Sequence, residues 1–81
     1  MNTIEKMDFG WALKALNNGW PVARKGWNGK GMHIALQKPD ENSKMRSPYI
    51  YMSPVGGDLV PWVASQSDIL AEDWIIVYGG Y

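Results

Sequence analysis

Apolar residues recur at helical spacing early in the chain, as Phe9, Ala12, Leu13 and Leu16. Asp8 stands before them as an N-cap, with Met7 placed to pack back on the first turn. Gly19, after Asn17 and Asn18, reads as the residue that stops the helix. The spacing therefore predicts a helix over residues 9–18. Trp11 falls off its apolar stripe and is left to face another element or a partner subunit. Pro21 blocks any continuation, and Val22-Ala23-Arg24 reads as a short strand. From Met32 to Gln37 the period changes to two. Met32, Ile34 and Leu36 share one face, and His33, Ala35 and Gln37 the other. Tyr49–Met52 predicts a third strand, and residues 59–63 an edge segment interrupted by Pro61. Ser65-x-x-Asp68 is a capping pattern that opens a short helix through Ile69, Leu70 and Ala71. Residues 74–78 form a last apolar strand. The segments between, at 25–31, 38–48 and 53–58, are rich in Gly, Pro, Asn, Asp and Ser and read as loops. The whole is an α+β domain, a small antiparallel sheet with one or two short helices. It is expected to be a single ligand-binding domain over residues 1–81, with 1–7 as an N-terminal tether.

Composition narrows this picture. A chain of 81 residues has room for one core, and at that size folding buries only about 60–65% of the unfolded surface. Such a core is marginal alone, and oligomerisation would add burial. Five tryptophans are more ring surface than a small core hides, so some belong at an interface or in a pocket. Eight basic residues balance eight acidic ones, which leaves no overall field to hold DNA but allows a small anion in a local pocket. There is no cysteine, so disulfides and thiolate zinc sites are excluded. No apolar run has the length of a signal peptide or membrane span, which places the chain in the cytoplasm by default.

Two constellations carry candidate chemistry. In Arg24-Lys25-Gly26-Trp27-Asn28-Gly29 a cation pair precedes a glycine-rich loop. That arrangement suits a phosphate or pyrophosphate, with Trp27 as a stacking face and Asn28 as donor and acceptor. Its plainer reading is a solvated basic turn with Trp27 in the core. In Trp62-Val63-Ala64-Ser65-Gln66-Ser67-Asp68, followed by Glu72-Asp73-Trp74, hydroxyls, an amide and carboxylates lie between two tryptophans. These groups suit ribose hydroxyls and a base edge. Alternatively, Ser65 and Asp68 only cap a helix while Trp62 and Trp74 fill the core. Catalytic readings are weak. His33 is the one histidine, no second histidine exists to share a metal, and no nucleophile has a base beside it in sequence. No metal and no cofactor is expected.

Three stretches together resemble one known family. They are Phe9-Gly10-x-Ala12-Leu13, the segment from Val22 to Met32 containing Ala-Arg-Lys-Gly-Trp-Asn, and the segment from Leu59 to Trp74 containing Ser-Gln-x-Asp-x-Leu-Ala-x-Asp-Trp. They are similar to the phage family called Thoeris anti-defence protein 2, over most of residues 8–78. The resemblance implies a sponge. Members bind a cyclic ADP-ribose isomer (glycocyclic ADP-ribose) made by bacterial TIR-domain immune enzymes, some also bind cyclic dinucleotides, and they hold the signal intact as homotetramers with pockets between subunits. Carried onto this sequence, the ligand contacts are Trp27 and Asn28 from the first motif and Asp73 and Trp74 from the second, joined by Arg24, Ser65, Gln66 and Asp68. The expectation is a binding protein and not an enzyme. A nucleotide hydrolase acting on the same signal and a protein-interaction module are the alternatives.

Overall fold

A computed structural model describes residues 6–78. Helix α1 (Phe9–Asn17) precedes strands β1 (Val22–Arg24), β2 (His33–Gln37), β3 (Tyr49–Ser53) and β4 (Val60–Pro61). Helix α2 (Gln66–Leu70) and strand β5 (Trp74–Ile76) follow. The five strands form one sheet in the order β4-β3-β2-β1-β5, and every neighbouring pair is antiparallel. The α+β architecture predicted from the periodicity is the one observed.

Local chemistry sets the ends of α1. The Asp8 carboxylate accepts from the Trp11 N–H at 2.9 Å. At the other end Gly19 takes φ +91°, which only glycine adopts without strain. Its N–H donates to Leu16 O at 3.0 Å, and the Trp20 N–H donates to Ala15 O at 3.0 Å, the two bonds of a Schellman stop. Ala12, Ala15 and Leu16 are buried, while Leu13 lies on the exposed side. A reciprocal cap starts the second helix, and extended backbone at Ala71 ends it. Ser65 Oγ accepts from the Asp68 N–H, and Asp68 Oδ2 accepts from the Ser65 N–H, both at 3.1 Å.

Alternation along the strands builds the core. The register places Ile76, Val22, Ile34, Met52 and Val60 in one row across all five strands. Side chains in one row share a face, and α1 packs over its β2-β1-β5 part, most closely on β5. Phe9, Trp27, Trp62 and Trp74 cluster at its end, with ring centroids 5.4–6.4 Å apart among contacting pairs. Pro61 sits on the outermost strand, where its missing N–H costs no ladder bond.

The start of the chain differs from expectation. Residues 1–5 lie outside the described residues, but Lys6 and Met7 are not a loose tether. Met7 forms a parallel bridge with Asp73, its carbonyl accepts from the Trp74 N–H at 3.1 Å, and Lys6 pairs with Glu72 at 3.3 Å. The last strand also ends earlier, at Ile76. Val77 still donates to Pro21 O at 2.9 Å.

Asp8→Ala removes the side-chain acceptor at the head of α1. It is expected to cost about 1 kcal/mol, read as a lower urea midpoint with an unchanged slope.

Candidate functional site

The candidate residues gather where the end of β1, the start of β5 and the N-terminus of α2 meet. Arg24 is the last residue of β1 and is paired in register with Trp74. Its Nε donates to Asp73 Oδ1 at 2.9 Å and its Nη1 to Asp68 Oδ1 at 3.0 Å. One guanidinium therefore joins a carboxylate from α2 to one beside β5. Asp73 Oδ2 also accepts from the Gly26 N–H at 3.0 Å, which fixes the first residues of the glycine loop. A Cβ at Gly26 would stand 3.3 Å from that oxygen, so the close approach suits glycine.

Each charge is held in its ionised form. The two carboxylates raise the Arg24 pKa above its usual value, Asp73 foremost. Arg24 is also the main cause of the lowered Asp73 pKa. Burial pushes the Asp68 carboxyl upward, but the Ser65 N–H, Arg24, the Ser65 hydroxyl and the Trp27 indole together pull it below its ordinary value. The Asp68 side chain is only 12% exposed, so loss of Arg24 would strand a largely desolvated carboxylate.

The tryptophans of both motifs lie beneath this cluster. Trp74 is 0% exposed and its Nε1–H donates to Asp68 O at 3.2 Å. No face of its ring is open within the chain. Trp27 is half-buried and meets Trp74 edge-on at 5.4 Å and Trp62 at 6.4 Å. The glycine loop is closely fitted and does not leave Trp27 as a detached pocket wall. A Cβ at Gly29 would lie 2.5 Å from Val55 Cγ2 and 3.1 Å from Met32 Cβ. Of the residues singled out in the sequence, the fold brings together Arg24, Asp68, Asp73, Ser65, Trp27 and Trp74. Asn28 and Gln66 are exposed at the margin, with no side-chain hydrogen bond between them and the cluster. His33 is buried at the start of β2, with Nδ1 2.7 Å from Gly31 O. Among the described residues no three His, Asp or Glu side chains are grouped to hold a metal ion.

A groove of about 470 Å³ opens beside the cluster, along the outer edge of β5. Met7, Trp11, Lys25, Asp73, Ile76 and Tyr78 are among its walls. Its volume lies within the range of about 300–1,000 Å³ usual for small-molecule sites. The sequence reading did not place Trp11, Lys25 and Tyr78 together. The one signal was the position of Trp11 off the helical stripe. A smaller hollow of about 220 Å³ lies across the sheet, between Gln37, Tyr49, Tyr51 and Pro61.

Residues 7–77 match the domain family described as Thoeris anti-defense 2-like. The chain belongs to this family. A protein of Bacillus phage SP01 named Thoeris anti-defense 2 is 38% identical over 85 aligned positions, covering 89% of this chain and 96% of the phage protein. The Thoeris anti-defense 2-like match spans α1, all five strands and α2, and so contains the Arg24 cluster and most of the groove. A role against bacterial defence follows for this chain, as the family resemblance implied.

Two expectations follow from the geometry. Both carboxylates have lowered pKa values, so the stability they confer is present above the ordinary value of 3.8 and is lost as pH falls through their folded-state values. An acid titration should show unfolding below about pH 4. Asp68→Asn should flatten that limb and cost about 2–3 kcal/mol at pH 7 by equilibrium denaturation. Trp27→Ala removes a ring packed on two others and a donor to Asp68. It should destabilise the chain by about 3 kcal/mol in a thermal melt, with Trp27→Phe recovering part of the loss.

Proposed function

We propose that this chain captures a cyclic ADP-ribose-type signal made by TIR-domain immune enzymes and withholds it, chemically intact, from the effector it would trigger. The signal is made inside the infected cell, so the place of action is the host cytoplasm. Membership of the Thoeris anti-defense 2-like family supports the anti-defence role. The observation that carries the mode of action is a groove of about 470 Å³ lined by aromatic rings and a lysine, set beside a charge cluster whose groups are already engaged. Asp68 and Asp73 accept hydrogen bonds from Arg24 and from backbone N–H groups, and both have lowered proton affinity. Carboxylates in that state are poor general bases near neutral pH. The arrangement favours binding over turnover.

Capture that outcompetes a receptor requires nanomolar affinity, about −12 kcal/mol. An open groove on one small chain encloses too little of a dinucleotide-sized ligand for that. Assembly supplies the rest of the enclosure, and this chain has the surface for it. The second helix turns Asp68 inward and leaves Ile69 and Leu70 outward at 48% and 76% exposure, next to Val63 at 88%. Aliphatic side chains displayed this way beside the site are suited to a subunit interface. The assembly is a homotetramer with each site closed by a neighbour.

The test is stoichiometric capture. Protein added to lysate from cells with an activated TIR enzyme should silence the effector in proportion to binding sites and independently of incubation time. Heating should release a signal of unchanged mass. A signal that stays lost after heating, and is lost faster with longer incubation, would show hydrolysis. A single-chain mass in light scattering at micromolar concentration would remove the shared site.

A further inference from the structure

Arg24 is the only charged residue in any of the five strands, and it is engaged by Asp68 and Asp73. The sheet therefore has an uncharged face on the side away from the core. Pro61, Tyr51 and Ala35 stand in one row across β4, β3 and β2, and Tyr49 stands opposite Gln37 in the next. These positions alternate along the strands with the core positions Ile34, Met52 and Val60, so their side chains point to the opposite face. Among the described residues no helix covers that face, since α1 packs on the core row and α2 packs on α1. An antiparallel sheet with one face in water presents polar residues there. This face instead presents two tyrosines, an alanine and a proline, with Leu59 beside them at 61% exposure.

The face is also stepped. Each register pair sets a large side chain against a smaller one, Tyr51 against Ala35 and Tyr49 against Gln37. The tyrosines form a ridge along β3, and β2 is the lower strip beside it. On the other side of the ridge, toward Leu59 and Pro61, the surface dips into the hollow of about 220 Å³. A ridge beside a lower strip is its own complement under a two-fold rotation about an axis between β2 and β3. The ridge of one copy lies over the lower strip of the other, and the reverse. Two copies brought together in this way oppose no like charges. A second chain can reach every one of these side chains: Ala35 and Tyr51 are half-buried, and Gln37, Tyr49 and Pro61 are exposed. Tyrosines in such a position are frequent anchors of protein interfaces.

We propose that this face is an isologous interface: a second copy of the chain packs on it, sheet to sheet at about 10 Å, with Tyr51 of each copy over Ala35 of the other and Tyr49 over Gln37. The inference goes beyond signal capture, and it rests on the homotetramer proposed above for its place in the assembly. A tetramer of dihedral symmetry needs two different two-fold contacts. The aliphatic patch of Val63, Ile69 and Leu70, on α2 and the segment before it, supplies one. The uncharged sheet face supplies the other.

The experiment uses the full chain, which has no cysteine of its own. Gln37→Cys places a single thiol on this face, and a short bismaleimide should then join most chains in pairs at micromolar concentration and none in urea. Ala35→Glu sets a carboxylate beneath the tyrosine of the facing copy. It should halve the mass of the assembly in light scattering while the circular dichroism remains that of a folded chain. A Gln37→Cys chain that is only singly modified would overturn the interface. So would an Ala35→Glu chain that folds and keeps the parent mass, since the face would then belong to solvent or to a different partner. If Ala35→Glu does not fold, the cross-link at position 37 decides alone. Capture of the TIR-made signal is measured in parallel on the parent chain. Capture without the cross-link removes only this interface, and the cross-link without capture removes the proposed function and leaves the interface standing.

Discussion

Arg24 reaches from the end of β1 to two carboxylates that approach from different parts of the chain, Asp68 on α2 and Asp73 beside β5. Two short pieces, α2 and the entry to the glycine loop, are held through this side chain and its partners. The second helix has only five residues, too few to be stable alone, and its inward residue is the aspartate. Its Ile69 and Leu70 contribute little burial, so its position depends on the ion pair, the reciprocal cap with Ser65 and the indole bond from Trp74. Asp73 in turn fixes Gly26 and with it the entry to the glycine loop. A lysine at position 24 would supply the charge but not the fork that engages two carboxylates at once.

The same pairing changes the reading of the charged residues. In the sequence Arg24 and Lys25 are equivalent cations beside a flexible loop. In the fold Arg24 is consumed internally, and Lys25 is the cation left facing the groove. Neutralisation of Asp73 and Glu72 by Arg24 and Lys6 is what makes a groove with acidic neighbours compatible with an anionic ligand.

The tryptophans divide in a comparable way. Trp27, Trp62 and Trp74 meet edge-on and, with Phe9, close the end of the core. Trp11 lines the groove, and Trp20 remains 46% exposed against Tyr78. The expectation that one small core could not absorb every ring is met, and Trp27, given a stacking role from its motif, is half-buried and packs against the core. In the glycine-rich loop a Cβ at Gly29 would lie 2.5 Å from Val55 Cγ2, and one at Gly26 would stand tightly, 3.3 Å from Asp73 Oδ2.

Much of the fold was legible in the sequence, because its determinants are local. Asp8 and Gly19 bound α1, Ser65 and Asp68 cap α2, and period-two alternation marks the strands; each acts within a few residues, so composition and spacing suffice. The α+β class follows from those elements. The strand order was not legible, nor was the pairing of Met7 with Asp73, nor the allocation of rings between core and groove. These depend on contacts between distant residues. Arg24 meets carboxylates 44 and 49 positions away, and nothing near Arg24 in the chain indicates that its charge will be spent there. The groove has the same origin. Its wall residues come from α1, the β1 end and β5, and it lies along the sheet's edge because β5 is the outermost strand. Sequence determined which residues can form caps, strands and rings. Tertiary packing decided which charges are paired inside the fold and which line the groove, because that depends on which distant residues the fold brings within hydrogen-bonding distance.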